Sequence, residues 1–407
     1  MHDSNLEQAF ADLFAWCRER DFAGFDPFDG LNSRLFRATP LKHSRAARLA
    51  WTQLFKHTPI DLRSLARVPP EQNAKGIALF ALAALSNFRR VNTKEAELEA
   101  RALLDDLMAM RLTGFSGAAW GYNFDWQGRS FFAPRGTPTI VPTAFAARAL
   151  CEAAQTFADG EYLSFARTVC DFILNDLNRS EETSDEVCFS YSPLDRTRIF
   201  NASLLAGEIL VTVGSVTGEQ SLCEWGLRAA RYVVCRQRVD GSWAYGVEDR
   251  QSWIDNFHTA FVLASLSRIL SSIGNESDFA GETPSSRTLR REFASQAEAS
   301  LRRGQEFWRE RFFLSDGWPK YYPDRLYPAD AHSAGAAIVA LTQLNWLDPG
   351  AIDLAENIAW WSIQNLRSPR GFFYYQRRRF YTVRIPYMRW SEAWMAYGLA
   401  RLLELNH

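Results

Sequence analysis

Six stretches of small and apolar residues recur along this chain, and most of them follow a loop crowded with aromatic residues. They start near Asn73 (NAKGIALFALAAL), Thr143 (TAFAARALCEAA), Asn201 (NASLLAGEILV), Asn256 (NFHTAFVLASL), His332 (HSAGAAIVALTQL) and Trp390 (WSEAWMAYGLARLL). The starts are separated by 70, 58, 55, 76 and 58 residues. Two helices of ~12 to 16 residues with their loops account for each interval. The runs between them are more amphipathic and more charged: 93–111, 161–177, 219–238, 294–311 and 351–366. Six less polar helices inside and about six half-polar helices outside can close a ring in which each layer buries the apolar face of the other. The expected fold class is therefore all-α, an α/α toroid or (α/α)6 barrel.

One such domain accounts for residues 1–407, with N-terminal helices over 1–60. Residues 275–291, rich in Ser, Gly, Glu and Thr, are expected to form a surface loop insertion that lengthens one interval to 76. A domain boundary there is the rival reading, but the pattern resumes in register beyond it. No stretch alternates like a long strand, so a large sheet is not expected.

Phe, Tyr and Trp make up 14% of the chain, more than a core alone needs, so some are expected to line a cavity. A net charge of −1 supplies no global field for nucleic acid or an anionic membrane. The first 22 residues carry Asp3, Glu7, Asp12 and Glu19 and lack the pattern of a signal peptide, which reads as cytoplasmic. The longest apolar run, 77–85, is far shorter than the ~20 residues a membrane-spanning helix needs, so no transmembrane segment is expected. Six cysteines without a Cys-x-x-Cys pair read as buried free thiols. No cofactor is implied, and no ligand spacing demands a metal.

In a closed ring of hairpins, the loops leading into the inner helices gather at one end. Polar residues there include Asn73, Lys75, Tyr191 and Asn201. His258 and His332 open successive inner helices, each with an aspartate nearby: Asp255 at i−3 and Asp330 at i−2. A carboxylate beside an imidazole orients it and raises its basicity, which makes general acid/base chemistry available. The alternative is that both aspartates are helix caps. Tyr245 and Tyr322 are candidate proton donors, since a phenol near His or Arg can lose its proton more easily. Trp120, Tyr122, Tyr191, Asn201, Trp243 and Trp390 are candidate substrate-binding residues, and Lys320 and Arg389 are candidates to hold a carboxylate or phosphate. The run Arg377-Arg378-Arg379 reads as a solvated face.

The pattern Arg228-Ala229 with Tyr232, Gln237, Gly241 and Trp243 resembles the Gln-Trp repeat of terpenoid cyclases and prenyltransferase-type toroids. That resemblance implies a toroid in which Gln caps and Trp stacks between neighbouring hairpins. The acid, diphosphate and zinc motifs of those enzymes do not occur in the sequence. Five further strings are 120–122 with 124–126, 189–193, 253–259, 320–322 and 385–390. Through them the chain resembles uncharacterised bacterial α/α-toroid proteins encoded beside glycosyltransferases in surface-polysaccharide biosynthesis loci. Six-hairpin glycosidases, polysaccharide lyases and uronyl epimerases are similar in layout.

These resemblances imply a carbohydrate-active enzyme of polysaccharide biosynthesis. Its substrate would be a glycan or lipid-linked sugar, its chemistry uronyl epimerase or lyase activity or glycoside hydrolysis, and a glycosyltransferase its partner. A non-catalytic glycan- or glycosyltransferase-binding toroid and a terpenoid-cyclase-like enzyme are the alternatives.

Overall fold

The inner helices form close to their expected starts. The computed structural model describes residues 2–128, 132–274 and 284–406. Its fourteen α-helices are α1 (His2–Arg18), α2 (Arg34–Arg37), α3 (Arg45–His57), α4 (Ala74–Val91), α5 (Lys94–Ala109), α6 (Ile140–Phe157), α7 (Gly160–Asn175), α8 (Phe200–Thr217), α9 (Gln220–Val234), α10 (Asn256–Ile273), α11 (Pro284–Phe312), α12 (Ala331–Gln343), α13 (Ala351–Leu366) and α14 (Ala393–Leu405). Helices α4, α6, α8, α10, α12 and α14 pack in chain order, and α14 returns to α4 and closes the ring. Each of α5, α7, α9, α11 and α13 covers the inner helix before it, while α1 packs on α13 and α14 as the sixth outer helix. This is the (α/α)6 barrel that the six apolar stretches predict. Among the described residues the strands are short pairings of two to four residues within loops.

Successive hairpins are joined by a repeated hydrogen bond. The first N–H of an inner helix has no partner within its own helix, and here it finds one in the next aromatic loop. Ile140 donates to the Tyr191 carbonyl (2.9 Å), Phe200 to Tyr245 (3.1 Å), Asn256 to Tyr321 (3.0 Å) and Ala331 to Tyr375 (3.1 Å). The tyrosine loops thus hold neighbouring units in register through their backbone.

Helix α8 is long and apolar enough to cross a membrane, and it lies buried in the inner ring. The inner helices also pair charged groups with one another. Arg148 grips Glu208 through two bonds (2.9 and 2.7 Å), Ser265 donates to Glu208 (2.6 Å), and Arg268 reaches Glu152 (3.4 Å). Helical periodicity alone marks these positions as interior but does not show that they pair.

Three details differ from the sequence reading. Residues 275–283 lie outside the described residues, and from Pro284 the chain is helical where a loop through 291 was expected. Buried Phe293 and the Arg290 guanidinium on the Ile273 carbonyl (2.6 Å) anchor this first part of α11. Cys235 is exposed, while the other five cysteines are buried. The N-terminal helices divide their roles: α1 joins the outer layer, and α2 and α3 build a cap with a small core of its own around Phe55, Ala66 and Val68. Inside that cap Arg63 is fully buried, donating to Asp29 (2.7 Å) and to the Asp26 carbonyl (2.6 Å).

Candidate active site

The loops entering the inner helices surround a cavity of about 400 Å³, with α3 along one side of its mouth. Its lining includes His258, His332, Asp255, Lys75, Tyr245 and Trp390.

Asp255 caps α10 by accepting from the His258 backbone N–H (3.0 Å), and its other oxygen meets His258 Nδ1 at 2.7 Å. The Trp253 indole donates to that same oxygen (3.1 Å). This one carboxylate therefore both caps the helix and meets the imidazole. A carboxylate accepts, so Nδ1 carries the proton and Nε2 keeps its lone pair. His258 retains about a fifth of its exposure, while Asp255 is buried.

The second pair does not form. Asp330 accepts from the Ser333 N–H (2.8 Å) as the cap of α12, and its other oxygen has no hydrogen-bond partner. Residues two apart on a helix point to different faces, so Asp330 does not orient His332. Burial pushes the Asp330 carboxyl up to about 6. His332 is fully buried, lines the cavity, and has no partner on either ring nitrogen. Burial, then Lys75, Arg389 and His258, hold it well below the usual imidazole range. The Phe257 ring touches both imidazoles, at 4.0 Å from His258 and 4.3 Å from His332 between centroids.

Lys75, named from sequence only as one of the converging polar groups, lies deep in the cavity. It is 3% exposed and has no ion pair among the described residues. Its Nζ sits 4.8 Å from the Phe145 ring centroid, 5.0 Å from Phe261 and 5.2 Å from Trp394. Such a cage favours a cation, while burial and the nearby Arg389 and Arg148 push the amine well below the usual lysine range.

Several expected site residues take other roles. Trp120 is buried and its indole donates to the Leu107 carbonyl (2.7 Å), and Trp243 does the same to Val233 (3.0 Å). Each ties a loop to the outer helix before it, and neither lines the large cavity. Gly304 of α11 lies so close to Trp243 that a Cβ there would come within 2.4 Å of the ring. Gln237 bridges the Gly241 and Ser300 carbonyls (2.9 and 2.8 Å), the inter-hairpin role that the Gln-Trp resemblance implies.

Lys320 lies outside the cavity, with Nζ on the Pro323 carbonyl (3.2 Å). Arg389 does line it, but its guanidinium is committed to Asp26 by two bonds (2.6 and 2.8 Å), a partner 363 residues away in sequence. Tyr245 stacks on Trp253 (4.5 Å, 17°), and burial with Tyr122 and Asp255 pushes its hydroxyl up, opposite to the easier ionisation expected. Tyr322 lies in the cavity wall with Arg325 over its ring at 4.8 Å. Tyr122 and Tyr191 share a hydroxyl hydrogen bond (3.0 Å), and Asn201 presents a buried oxygen without a partner. All three line the cavity, as does Trp390, whose ring lies 4.1 Å from that of His332.

The fold is shared with solved carbohydrate-active proteins. An unsaturated glucuronyl hydrolase specific for heparin aligns with a TM-score of 0.60 at 12% identity, covering 100% of this chain and 97% of that one. A cellobiose 2-epimerase from Bacillus thermoamylovorans aligns at 0.54 and 12%, covering 82% and 90%, and a D-mannose isomerase at 0.56 and 11%, covering 82% and 87%. At these identities the likeness shows the fold alone. No family model matches the sequence, and no curated protein matches it.

Proposed function

We propose that this protein is a carbohydrate-active enzyme that moves a proton at a sugar carbon next to a carbonyl, as an epimerase or isomerase. One observation carries the reading: the cavity is lined by two buried-side imidazoles and, among the described residues, one carboxylate, Asp255. A third histidine, His57, sits at the exposed rim on Gln53 (3.0 Å). Glycoside hydrolysis by the usual route needs two carboxyl groups flanking the bond; Asp330 does not line the cavity, and Asp255 is held by His258.

In this reading His258 Nε2 takes the proton, and Asp255 stabilises the imidazolium that forms. His332, kept neutral by burial, donates an N–H to the sugar oxygen that gains negative charge, and Lys75 stands by that oxygen, whose developing charge favours the protonated amine. Lys75 thus takes the place first given to Lys320 and Arg389. His258 is part-exposed, so the proton it takes exchanges with solvent. Its delivery to the neighbouring carbon, with the adjacent hydroxyl proton passing to the former carbonyl oxygen, gives the isomer, and its delivery to the opposite face of the same carbon gives the epimer. The fold likeness to sugar epimerases, an isomerase and a uronyl hydrolase supports the substrate class by analogy.

A role in surface-polysaccharide biosynthesis, on a glycan or lipid-linked sugar and beside a glycosyltransferase, rests on the sequence resemblance. The test is incubation with neutral and uronic reducing sugars followed by proton NMR. A new epimer or ketose supports the proposal; cleavage of a glycoside without isomerisation overturns it.

A further inference from the structure

The near-zero net charge hides a division of the chain. From Ser33 to Pro70 there are eight Lys and Arg against one acid, Asp61, and the nine residues from Gln376 to Arg384 add four arginines and no acid. The remainder carries 34 basic against 46 acidic residues. The two basic segments meet in space, where Arg378 donates to the His57 carbonyl (3.4 Å). Some of this charge is used internally: Arg63 pairs with buried Asp29, and Arg37 lies 3.6 Å from Asp125. Arg34, Lys42, Arg67, Arg379 and Arg384 are exposed.

Apolar side chains stand out among them. Among the described residues, seven of the seventeen exposed large apolar side chains fall on these 47 residues, including Ile60 at 66%, Leu65 at 75% and Phe380 at 85% exposure. A basic surface alone attracts any polyanion through its charge. Exposed aliphatic and aromatic side chains among the charges gain from an acyl layer and little from a solvated anion. The same cap carries Leu49, Thr52 and Lys56 into the cavity lining, so this surface adjoins the cavity mouth.

We propose that the cap of α2 and α3, together with the 376–384 hairpin, docks the protein on an anionic lipid bilayer with its cavity mouth toward the headgroups. The inference stands independently of the sugar chemistry above.

The test is flotation of the full chain with vesicles of phosphatidylcholine alone and of phosphatidylcholine with an equal part of phosphatidylglycerol. Partition onto the anionic vesicles is expected to be at least tenfold stronger and to weaken as salt rises. Lys42→Glu with Arg379→Glu is expected to reduce it at least tenfold. Leu65→Ser with Phe380→Ser is expected to reduce it several-fold while leaving retention on heparin unchanged, with circular dichroism confirming that both variants fold. Equal partition onto both vesicle types would overturn the proposal. So would unchanged vesicle binding by the Leu65 and Phe380 variant, which would assign the surface to a soluble polyanion such as nucleic acid.

Discussion

Asp255 holds His258 twice, at the backbone N–H (3.0 Å) and at the ring Nδ1 (2.7 Å), so one carboxylate both starts α10 and fixes the imidazole. The two duties separate by substitution. Asparagine still caps a helix but can offer its NH₂ to Nδ1 and so favour the wrong tautomer. Asp255→Asn is expected to lower kcat by about 10³ to 10⁴ with a melting temperature close to wild type. Steady-state kinetics beside a thermal melt check this.

His332 makes stability depend on pH. Its folded pKa lies below the unfolded value, so its stabilising contribution is complete above about 6.5 and is lost as the pH falls, because the unfolded chain takes up a proton that the fold refuses. Urea unfolding of wild type and His332→Asn at about pH 7 and about pH 5 is expected to show wild type losing more stability on acidification than the variant.

Asp330 has the opposite sign. Its carboxyl is pushed up to about 6, so its contribution is full below the unfolded value near 3.8 and is lost as the pH rises through 6. Asp330→Asn keeps a cap and removes the buried charge. It is expected to raise stability by about 2 to 3 kcal/mol at neutral to alkaline pH and by much less near pH 4, measured by urea unfolding.

Lys75 is a buried, unpaired amine in an aromatic cage. Lys75→Met keeps the length and removes the buried, unpaired polar amine, so the protein is expected to become more stable by about 1 to 3 kcal/mol while kcat falls at least about 100-fold. A calorimetric scan with a kinetic assay reads both, and opposite movement of the two is the signature of a site that trades stability for function.

The barrel was legible because period and spacing are local properties that repeat six times. The Asp255–His258 pair was legible because i and i+3 share a helix face. Asp330 and His332 carry the same residue types two apart, and that single step turns the carboxylate away. The indoles of Trp120 and Trp243 looked available for substrate; what decides their role is a backbone carbonyl at the end of the preceding helix, which no side-chain pattern reveals. Arg389 could not be matched to Asp26 across 363 residues. The basic cap was hidden by summing charge over the whole chain, where an acidic remainder cancels it.

The most direct measurement of the central claim is mass spectrometry of a reducing sugar turned over in deuterated water by wild type, His258→Asn and His332→Asn. The account predicts solvent deuterium at the carbon beside the carbonyl with wild type, and loss of that incorporation in both variants. Wild-type levels of deuterium in either variant, or turnover by wild type with no deuterium entering the sugar, would contradict it.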